Sequence, residues 1–220
     1  MKKIAEGNTA EIFMMENGCI LKLFKEGYSQ NAVECEYNHH CLVNSLMVEV
    51  PQIYEMVEKG GRYGLVMEYV RGESLASRMM QPKTFEQAMD SFVRIHTSWL
   101  SKCSKEAISY KQWIKEVCGK KEVQSDLSEL LHNLPEGNVL CHGDFHPYNI
   151  ILTEQGRQVV SDFANVCRGP KEYDIARTYF LLNEVQAGKP IADIYLQKMG
   201  IKYQKIERYV EILKVLRAYE

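Results

Sequence analysis

The stretch CHGDFHPYNIIL, residues 141–152, constrains the fold of this chain more than any other segment. It is apolar at its C-terminal end, and the residues just before it are apolar as well, which predicts two buried strands joined by a loop. That loop is nevertheless rich in side chains that form hydrogen bonds: His142, Asp144, His146 and Asn149. Because buried polar groups need partners, such a loop is typical of a site held between two rigid strands.

Size and composition are those of an ordinary globular protein. The chain has 220 residues, enough to bury one large core or two smaller ones. Hydrophobic residues make up 45% of it and charged residues 25%, which argues against disorder. The net charge of -2 is not the positive balance typical of proteins that bind nucleic acid or anionic membranes, so we expect neither as a partner.

The N-terminus and the cysteines indicate a compartment. The chain begins with charged residues and shows no apolar core of a signal peptide, and no run approaches the roughly 18 apolar residues of a membrane span. The seven cysteines are odd in number and form no CxxC pair, so neither a disulfide framework nor a zinc site is expected. These features predict a cytoplasmic protein with reduced thiols and leave its oligomeric state open.

The first third of the chain has the pattern of strands with one inserted helix. Two apolar segments, AEIFMME and CILKLFKE, are joined by Asn17-Gly18, which is a strong hairpin signal. A second pair, QIYEMVEK and RYGLVMEYV, is joined by two glycines. Between the pairs, residues 30–46 have a helical composition, and Pro51 lies beyond them. This predicts a small antiparallel sheet with one helix.

After residue 84 the pattern becomes mainly helical. Helical segments are expected at 85–99, 110–134, 173–185 and 203–219. Short strands return around the opening stretch, in NIILTE and QVVSDF. The sequence therefore predicts an α+β fold with a strand-rich N-terminal lobe, residues 1–70, and a mainly helical C-terminal lobe, residues 71–220.

The order of the polar residues fits a site for phosphoryl transfer. In the general pattern of kinases, a catalytic-loop Asp accepts the proton of the substrate hydroxyl, and a later Asn and Asp bind magnesium. The matching residues here are Asp144, Asn149 and Asp162. Magnesium prefers oxygen ligands and usually keeps several waters, so few protein ligands suffice. The alternative is an Asx-rich turn that caps two strands, with His142 a core histidine whose hydrogen bonds are satisfied.

At this point the sequence resembles a known family. LCHGDFHPYNIIL followed by VVSDFANVCRGPKEYDIAR is similar to the aminoglycoside phosphotransferase and choline kinase branch of the protein-kinase-like fold. GNTAEIFMMENGCILKLFKEGY and AVECEYNHH resemble that family's nucleotide lobe. The resemblance covers most of the chain and is weakest at 85–132 and after Asn183. It implies a two-lobed fold, with a small antiparallel-sheet N-lobe carrying one helix and a mainly helical C-lobe with short catalytic hairpins.

The resemblance also implies roles for individual residues. Asp144 is expected to be the catalytic base, Asn149 and Asp162 the ligands of Mg²⁺, and His142 a scaffold residue of the catalytic loop. Asp174, in YDIAR, is expected either to support that loop through hydrogen bonds or simply to lie favourably at a helix N-terminus.

A nucleotide site is expected in the N-terminal lobe. Lys22 lies centrally in CILKLF and would contact the α and β phosphates, paired with a helix glutamate. Glu36 matches the second glutamate of the family's Glu-x-Glu pattern and is preferred, with Glu34 the alternative.

Backbone groups are expected to complete that site. The amides near Asn8 and Thr9 would bind phosphate oxygens, although a plain turn is an equal alternative there. The segment from Glu68 to Val70 would present its backbone to adenine, as the resemblance implies.

Two departures from the protein kinases point to small-molecule substrates. Gly143 stands where protein kinases carry Arg, and Ala164 replaces the Gly of Asp-Phe-Gly.

The residues expected near the acceptor site give less information about the substrate. Tyr148 lies where the family often has Gly, which would narrow the acceptor site. Neither 85–134 nor 171–220 is acidic overall, so charge gives no support for a polycationic antibiotic.

The expected function is therefore transfer of the γ-phosphate of ATP or GTP to a hydroxyl of a small molecule. A choline-type substrate would need an aromatic cage. The C-terminal tyrosines could form such a cage, and the alternative is that they pack between helices. Two other functions stay open: a nucleotide-binding pseudokinase that recruits a partner protein, and a protein-serine kinase.

Overall fold

The chain divides into two compact units. The computed structural model describes residues 1–46, 48–119, 127, 129–185 and 188–219. One unit comprises Met1–Ser74 with Ile150–Ala164, and the other comprises Leu75–Asn149 with Asn165–Glu220. The chain therefore returns to the first unit at Ile150, within the stretch 141–152, while the expected lobes at 1–70 and 71–220 stay a prediction.

A five-stranded antiparallel sheet forms most of the first unit. The strands are β1 (Lys2–Glu6), β2 (Ala10–Met14), β3 (Cys19–Phe24), β4 (Ile53–Lys59) and β5 (Arg62–Glu68). Their order in the sheet is β1-β2-β3-β5-β4. Both predicted hairpins are present, β2–β3 around Asn17-Gly18 and β4–β5 around the glycine pair. The edge strand β1 was not predicted, because its residues are exposed and show no alternating apolar pattern.

Helix α1 (Gln30–Ser45) packs on one face of this sheet. It begins at Ser29, whose side chain accepts a hydrogen bond from the amide of Ala32. Side chains of β3 alternate between the two faces, so Phe24 packs with Val33 of the helix while Leu21 lies in a separate cluster on the other side. The sequence pattern of the sheet thus decides which β3 residues meet α1.

A second, three-stranded antiparallel sheet belongs to the same unit. Its order is β6 (Gly72–Ser74), β8 (Ile150–Thr153) and β9 (Gln158–Val160). The strands β8 and β9 were predicted from NIILTE and QVVSDF, whereas β6 was not. Gly72 explains the close pairing, because a Cβ there would lie 2.3 Å from the carbonyl oxygen of Leu152.

The second unit is mainly helical. Its helices are α2 (Leu75–Met79), α3 (Phe85–Trp99), α4 (Tyr110–Cys118), α5 (Lys171–Glu184), α6 (Gly188–Met199) and α7 (Glu207–Leu216). Short 3-10 helices cover Pro147–Asn149 and Tyr203–Lys205, and a two-stranded sheet pairs β7 (Val139–Cys141) with β10 (Cys167–Gly169). The α+β class predicted from the sequence is confirmed.

Two predicted helices differ from the structure, and helices α2 and α6 were not predicted. Within the expected helix at 110–134, Tyr110–Cys118 and the described residues 127 and 129–132 are helical, while residues 120–126 and 128 lie outside the described residues. Residues 203–219 form a 3-10 turn and then α7 rather than one helix. Helix α6 was missed because Gly188 and Pro190 near its start are typical of a loop. Within the described ranges, no helix is both long and apolar enough to cross a membrane.

Replacing Gly72 with Ala is expected to destabilise the fold, because the new methyl group would collide with the backbone of β8. We expect a loss of about 1–3 kcal/mol in the free energy of unfolding, measured by urea denaturation. Gly7→Ala is the control, since its Cβ would meet only ordinary contacts, 3.7 Å from the carbonyl oxygen of Ala10. Equal midpoints for the two variants would contradict the steric explanation.

Candidate active site

A buried ion pair joins the sheet of the first unit to its helix. Lys22 lies in β3 on the face that meets α1, and its Nζ donates a hydrogen bond to Oε1 of Glu36 at 2.6 Å. The side chains are only 12% and 7% exposed. Of the two glutamates left open by the sequence, Glu36 is thus the one in contact with Lys22. Glu34 instead accepts a hydrogen bond from Gln30, one turn earlier on α1.

Asp162 also contacts this lysine. Its Oδ1 lies 3.2 Å from the Nζ of Lys22, and its side chain is 42% exposed. Asp162 has a φ of 67°, the left-handed region that few non-glycine residues adopt. Backbone strain of this kind often occurs where a side chain must be aimed for function, so the conformation supports a special role for Asp162.

One cation and two carboxylates determine the electrostatics of this cluster. Burial by itself lowers the pKa of Lys22, but the charges of Glu36 and Asp162 outweigh it and raise that pKa above its usual value. Burial raises the pKa of Glu36, and the nearby Asp162 adds to this effect, while Lys22 opposes both. The lysine is therefore firmly cationic at neutral pH and able to bind a further anionic group.

The remaining nucleotide-site candidates of the first unit differ in their surroundings. Asn8 and Thr9 are exposed between β1 and β2, in a turn closed by a hydrogen bond from the Gly7 amide to the Ala10 carbonyl. At the end of β5, the amide of Glu68 donates to the carbonyl of Gln52, and its carboxylate binds Arg157.

Glu68 can therefore not offer its amide to adenine without losing that bond. Val70 is buried, with 8% of its surface exposed. The adenine contacts of Glu68 and Val70 stay predictions.

In the second unit, a buried carboxylate binds the first residues of the predicted catalytic-loop motif, residues 142–149. Asp174 of α5 is fully buried and accepts hydrogen bonds from the amides of His142 and Gly143, each at 2.9 Å. Nε2 of His96, from α3, lies 3.2 Å from the same carboxylate. Burial raises the pKa of Asp174, but these hydrogen bonds and the charge of His96 outweigh it, so the pKa is lowered overall. Of the two readings of Asp174, the geometry matches support of the loop.

Two further residues of α5 fix the carbonyl groups of the same loop. Arg177 is buried and donates from Nε to the carbonyl oxygen of Gly143 at 2.7 Å. Thr178 donates from its hydroxyl to the carbonyl oxygen of Phe145 at 3.0 Å. One helix therefore satisfies two amides and two carbonyls of residues 142–146, which form no regular secondary structure of their own.

Glycine is required at position 143 for a steric reason. Its φ is +75°, and a Cβ there would lie 2.3 Å from the carbonyl oxygen of Asn165. An arginine such as protein kinases carry at this position would not fit the present backbone.

Asp144 lies at the centre of this loop and is partly buried. Its backbone carbonyl accepts a hydrogen bond from Nδ2 of Asn149 at 3.0 Å, and its Oδ2 lies 3.4 Å from the same nitrogen. Nε2 of His146 lies 3.6 Å from Oδ2. Burial raises the pKa of Asp144, but the hydrogen bond and charge of His146, together with the charges of His142 and Arg177, lower it overall. Asp144 is thus a carboxylate at neutral pH.

The imidazole of His142 is buried in an aromatic cluster. It packs against Trp99 and Phe145, with ring centroids 5.0 and 5.6 Å away, and Nδ1 accepts a hydrogen bond from the amide of Asp144. This position agrees with the scaffold role that the resemblance implied. The alternative interpretation, an Asx-rich turn that caps two strands, also predicts a buried histidine whose hydrogen bonds are satisfied. The position of His142 therefore agrees with both interpretations.

The donors proposed for magnesium are chemically suitable. Asp162 offers a partly exposed carboxylate in the first unit, and Asn149 an amide group in the second, and Mg²⁺ prefers such oxygen donors. Within the described residues, no group of three or more His, Cys, Asp and Glu has the arrangement of a metal site. Magnesium that is bound partly by phosphates and waters needs no such group.

Three members of the loop network were not predicted from the sequence: His96, Arg177 and Thr178. A signal existed for two of them, because Arg177 and Thr178 follow Asp174 by three and four residues and so share one face of a helix. His96 lies on the buried face of α3, so its spacing predicts only a core position.

Asp174→Asn is expected to destabilise the protein by about 3–5 kcal/mol, because an amide cannot accept from both loop amides and His96. Because its folded-state pKa is lowered, Asp174 stabilises the fold above the ordinary carboxyl value of about 4, and this contribution is lost as the pH falls through the lower folded-state value. Below pH 4 the wild type should therefore lose stability more steeply than the variant in chemical denaturation.

The control for this prediction is Asp90→Asn, which removes an exposed partner of Lys198. We expect a change below about 1 kcal/mol. A similar loss in both variants would show that the network around Asp174 contributes nothing special.

Comparison with known proteins agrees with this geometry. The chain matches the phosphotransferase enzyme family APH over residues 1–209. A search of curated proteins found no significant match. Among solved structures, an aminoglycoside-3'-phosphotransferase of type VIII aligns with a TM-score of 0.69 and 17% identity, covering 98% of this chain and 91% of that one.

Two other solved structures have the same fold. The aminoglycoside phosphotransferase APH(3'')-Id of Streptomyces rimosus, in complex with ADP and streptomycin, aligns with a TM-score of 0.65 and 13% identity, covering 94% and 90% of the two chains. The choline kinase LicA of Streptococcus pneumoniae aligns with a TM-score of 0.66 and 17% identity, covering 99% and 82%. The protein-kinase-like fold is confirmed, and the chain belongs to the phosphotransferase enzyme family.

Proposed function

We propose that this protein transfers the γ-phosphate of ATP, or of GTP, to a hydroxyl group of a small molecule. The observation that carries the proposal is the buried Lys22–Glu36 pair with Asp162 beside it, since kinases need a strand lysine held by a helix glutamate. The ADP complex of the structural neighbour from Streptomyces rimosus supports a purine nucleotide as donor.

Lys22 is proposed to bind the α and β phosphates. Its ammonium group is cationic and already positioned by Glu36, so the nucleotide meets a fixed charge and little reorganisation is needed. The backbone amides of the exposed residues Asn8 and Thr9 would add hydrogen bonds to phosphate oxygens, and backbone groups at Glu68 and Val70 would face adenine.

Asn149 and Asp162 are proposed to hold Mg²⁺. The ion would bridge phosphate oxygens and neutralise the charge that develops on them during transfer. The carboxylate of Asp162 contacts Lys22 in the structure, so the same side chain can respond to the charge of the bound nucleotide.

Asp144 is proposed to orient the acceptor hydroxyl and to accept its proton. The reaction needs a carboxylate for this, and the lowered pKa of Asp144 keeps it ionised at neutral pH. His142 and Asp174 would act through the loop, because the ring of His142 packs against Trp99 and Phe145 and the carboxylate of Asp174 binds the first two loop amides. The loop is thereby held rigid, which favours positioning of the attacking oxygen.

Experiment distinguishes this function from the two alternatives, a nucleotide-binding pseudokinase and a protein-serine kinase. A pseudokinase would bind nucleotide and transfer phosphate to no acceptor. A protein-serine kinase would phosphorylate peptides, and the departures at Gly143 and Ala164 argue for small molecules instead.

Glu36→Gln is expected to reduce ATP turnover at least about tenfold, because Lys22 loses the charge that holds it in place. Glu34→Gln is the matched control on the same helix, since Glu34 contacts Gln30 instead, and its turnover should stay within about twofold. Steady-state release of ADP at saturating magnesium measures both variants. If the two lose activity equally, the pair is not part of the nucleotide site.

Asp144→Asn is expected to lower kcat by a factor of about 10² to 10⁴ while leaving nucleotide affinity largely intact, because only the proton acceptor is removed. Turnover should be screened across a panel of alcohols, and chelation of magnesium by EDTA should abolish it. Asp193→Asn, an exposed partner of Lys189, serves as control and should retain full activity. Undiminished turnover in the Asp144 variant would remove this residue from the mechanism.

A further inference from the structure

A cavity of about 620 Å³ lies in the second unit beside the catalytic-loop motif. The loop contributes His146, Pro147 and Tyr148 to its wall, and the helices of the same unit contribute the rest. Its size is within the range of sites for small molecules. His146 also lies 3.6 Å from Asp144, so the cavity wall reaches the proposed catalytic base through one side chain.

Most of the wall is apolar. Met79 comes from the end of α2, Leu181 from α5 and Ile191 from α6. Two exposed apolar residues add to it, because Met80 is 67% exposed and Val185 is 50% exposed. Flexible methionine side chains next to a cavity are suited to apolar ligand surfaces of varying shape.

The charged residues of the wall cancel each other. Glu184 and Arg217 line the cavity and form an ion pair at 2.9 Å. Among the described lining residues, Glu184 is the only acid. A ligand with several ammonium groups would need several carboxylates to replace its lost hydration, so the wall does not suit a polycation.

The wall is also unsuited to a quaternary ammonium ion. An aromatic cage needs several ring faces, and Tyr148 is the only Phe, Tyr or Trp among the described lining residues. Three of the C-terminal tyrosines contact other residues: Tyr173 and Tyr209 pack against Tyr110, and the hydroxyl of Tyr195 contacts His96.

His146 offers the ligand a polar contact at the loop side. Its Nε2 faces Asp144, while its Nδ1 is buried and has no hydrogen-bond partner among the described residues. The side chain of His146 therefore gives the cavity a polar end near Asp144, while the body of the cavity is apolar.

We propose that the acceptor is an alcohol with an apolar body and little or no positive charge, bound in this cavity with its hydroxyl end at His146. The inference rests on the proposed function for the identity of the ligand as acceptor. The chemistry of the cavity itself, apolar and of balanced charge, is independent of catalysis.

The test compares two probes in titrations without nucleotide. Octyl β-D-glucoside, below its micelle concentration, is an uncharged polyol with an apolar chain, and kanamycin is a polycationic amino sugar. Isothermal titration calorimetry with the full chain should give tighter binding for the glucoside. Tighter binding of kanamycin, or no binding of the glucoside, would overturn the inference.

A matched pair of variants locates the binding. Val185→Glu adds a carboxylate at an exposed position of the cavity wall, and Val215→Glu adds one at an exposed position of α7 that does not line it. The first should weaken binding of the glucoside about fivefold or more, and the second should leave it unchanged. Equal affinities in the two variants would place the glucoside elsewhere and overturn the inference.

Failure of this inference and failure of the proposed function give different results. If kanamycin binds better than the glucoside while turnover still depends on Asp144, only the acceptor class is wrong. If the glucoside binds as expected and no alcohol is phosphorylated, the cavity chemistry stands and the phosphotransfer proposal fails.

Discussion

Hydrogen bonding of two loop amides to the carboxylate of Asp174 is the interaction on which the predicted catalytic-loop motif depends. The carboxylate is fully buried, and it accepts hydrogen bonds from two consecutive loop amides while His96 approaches from another helix. An unpaired carboxylate would be very costly in such surroundings, so the loop has one favourable conformation around it. The position of Asp144 follows from that conformation, since it is the next residue after those two amides.

The first unit also contains a buried charged side chain held by specific partners, but here the charge is positive. Lys22 is buried, and two carboxylates hold it in its charged form. In both units, a buried charged side chain is stable only while a few specific partners bind it. Because those partners lie at fixed positions, the orientation of the charged side chain is fixed as well. Rigid charges of this kind suit phosphoryl transfer, in which the protein positions groups and stabilises charge.

Much of the fold of the first unit and the position of Lys22 could be predicted from the sequence, because turns and alternating strand patterns involve residues that are close together in the chain. The Asn17-Gly18 turn and the alternation in β3 indicate both the hairpin and the face that carries Lys22. What could not be predicted depends on residues far apart in the chain. His96 meets Asp174 across 78 positions, and no periodicity on α3 distinguishes it from its core neighbours. The sequence of β6 also shows no pattern that predicts a strand, since this strand forms only by pairing with β8.

The sequence by itself determined the polar motif, the strands on either side of it and the family to which the chain belongs, because spacing along the chain carries that information. Only the tertiary structure decided between Glu36 and Glu34 as the partner of Lys22. It also decided that most of the C-terminal tyrosines are packed away from the cavity beside the loop. The physical reason is that burial and side-chain direction arise from packing between distant segments, which residue order does not encode locally.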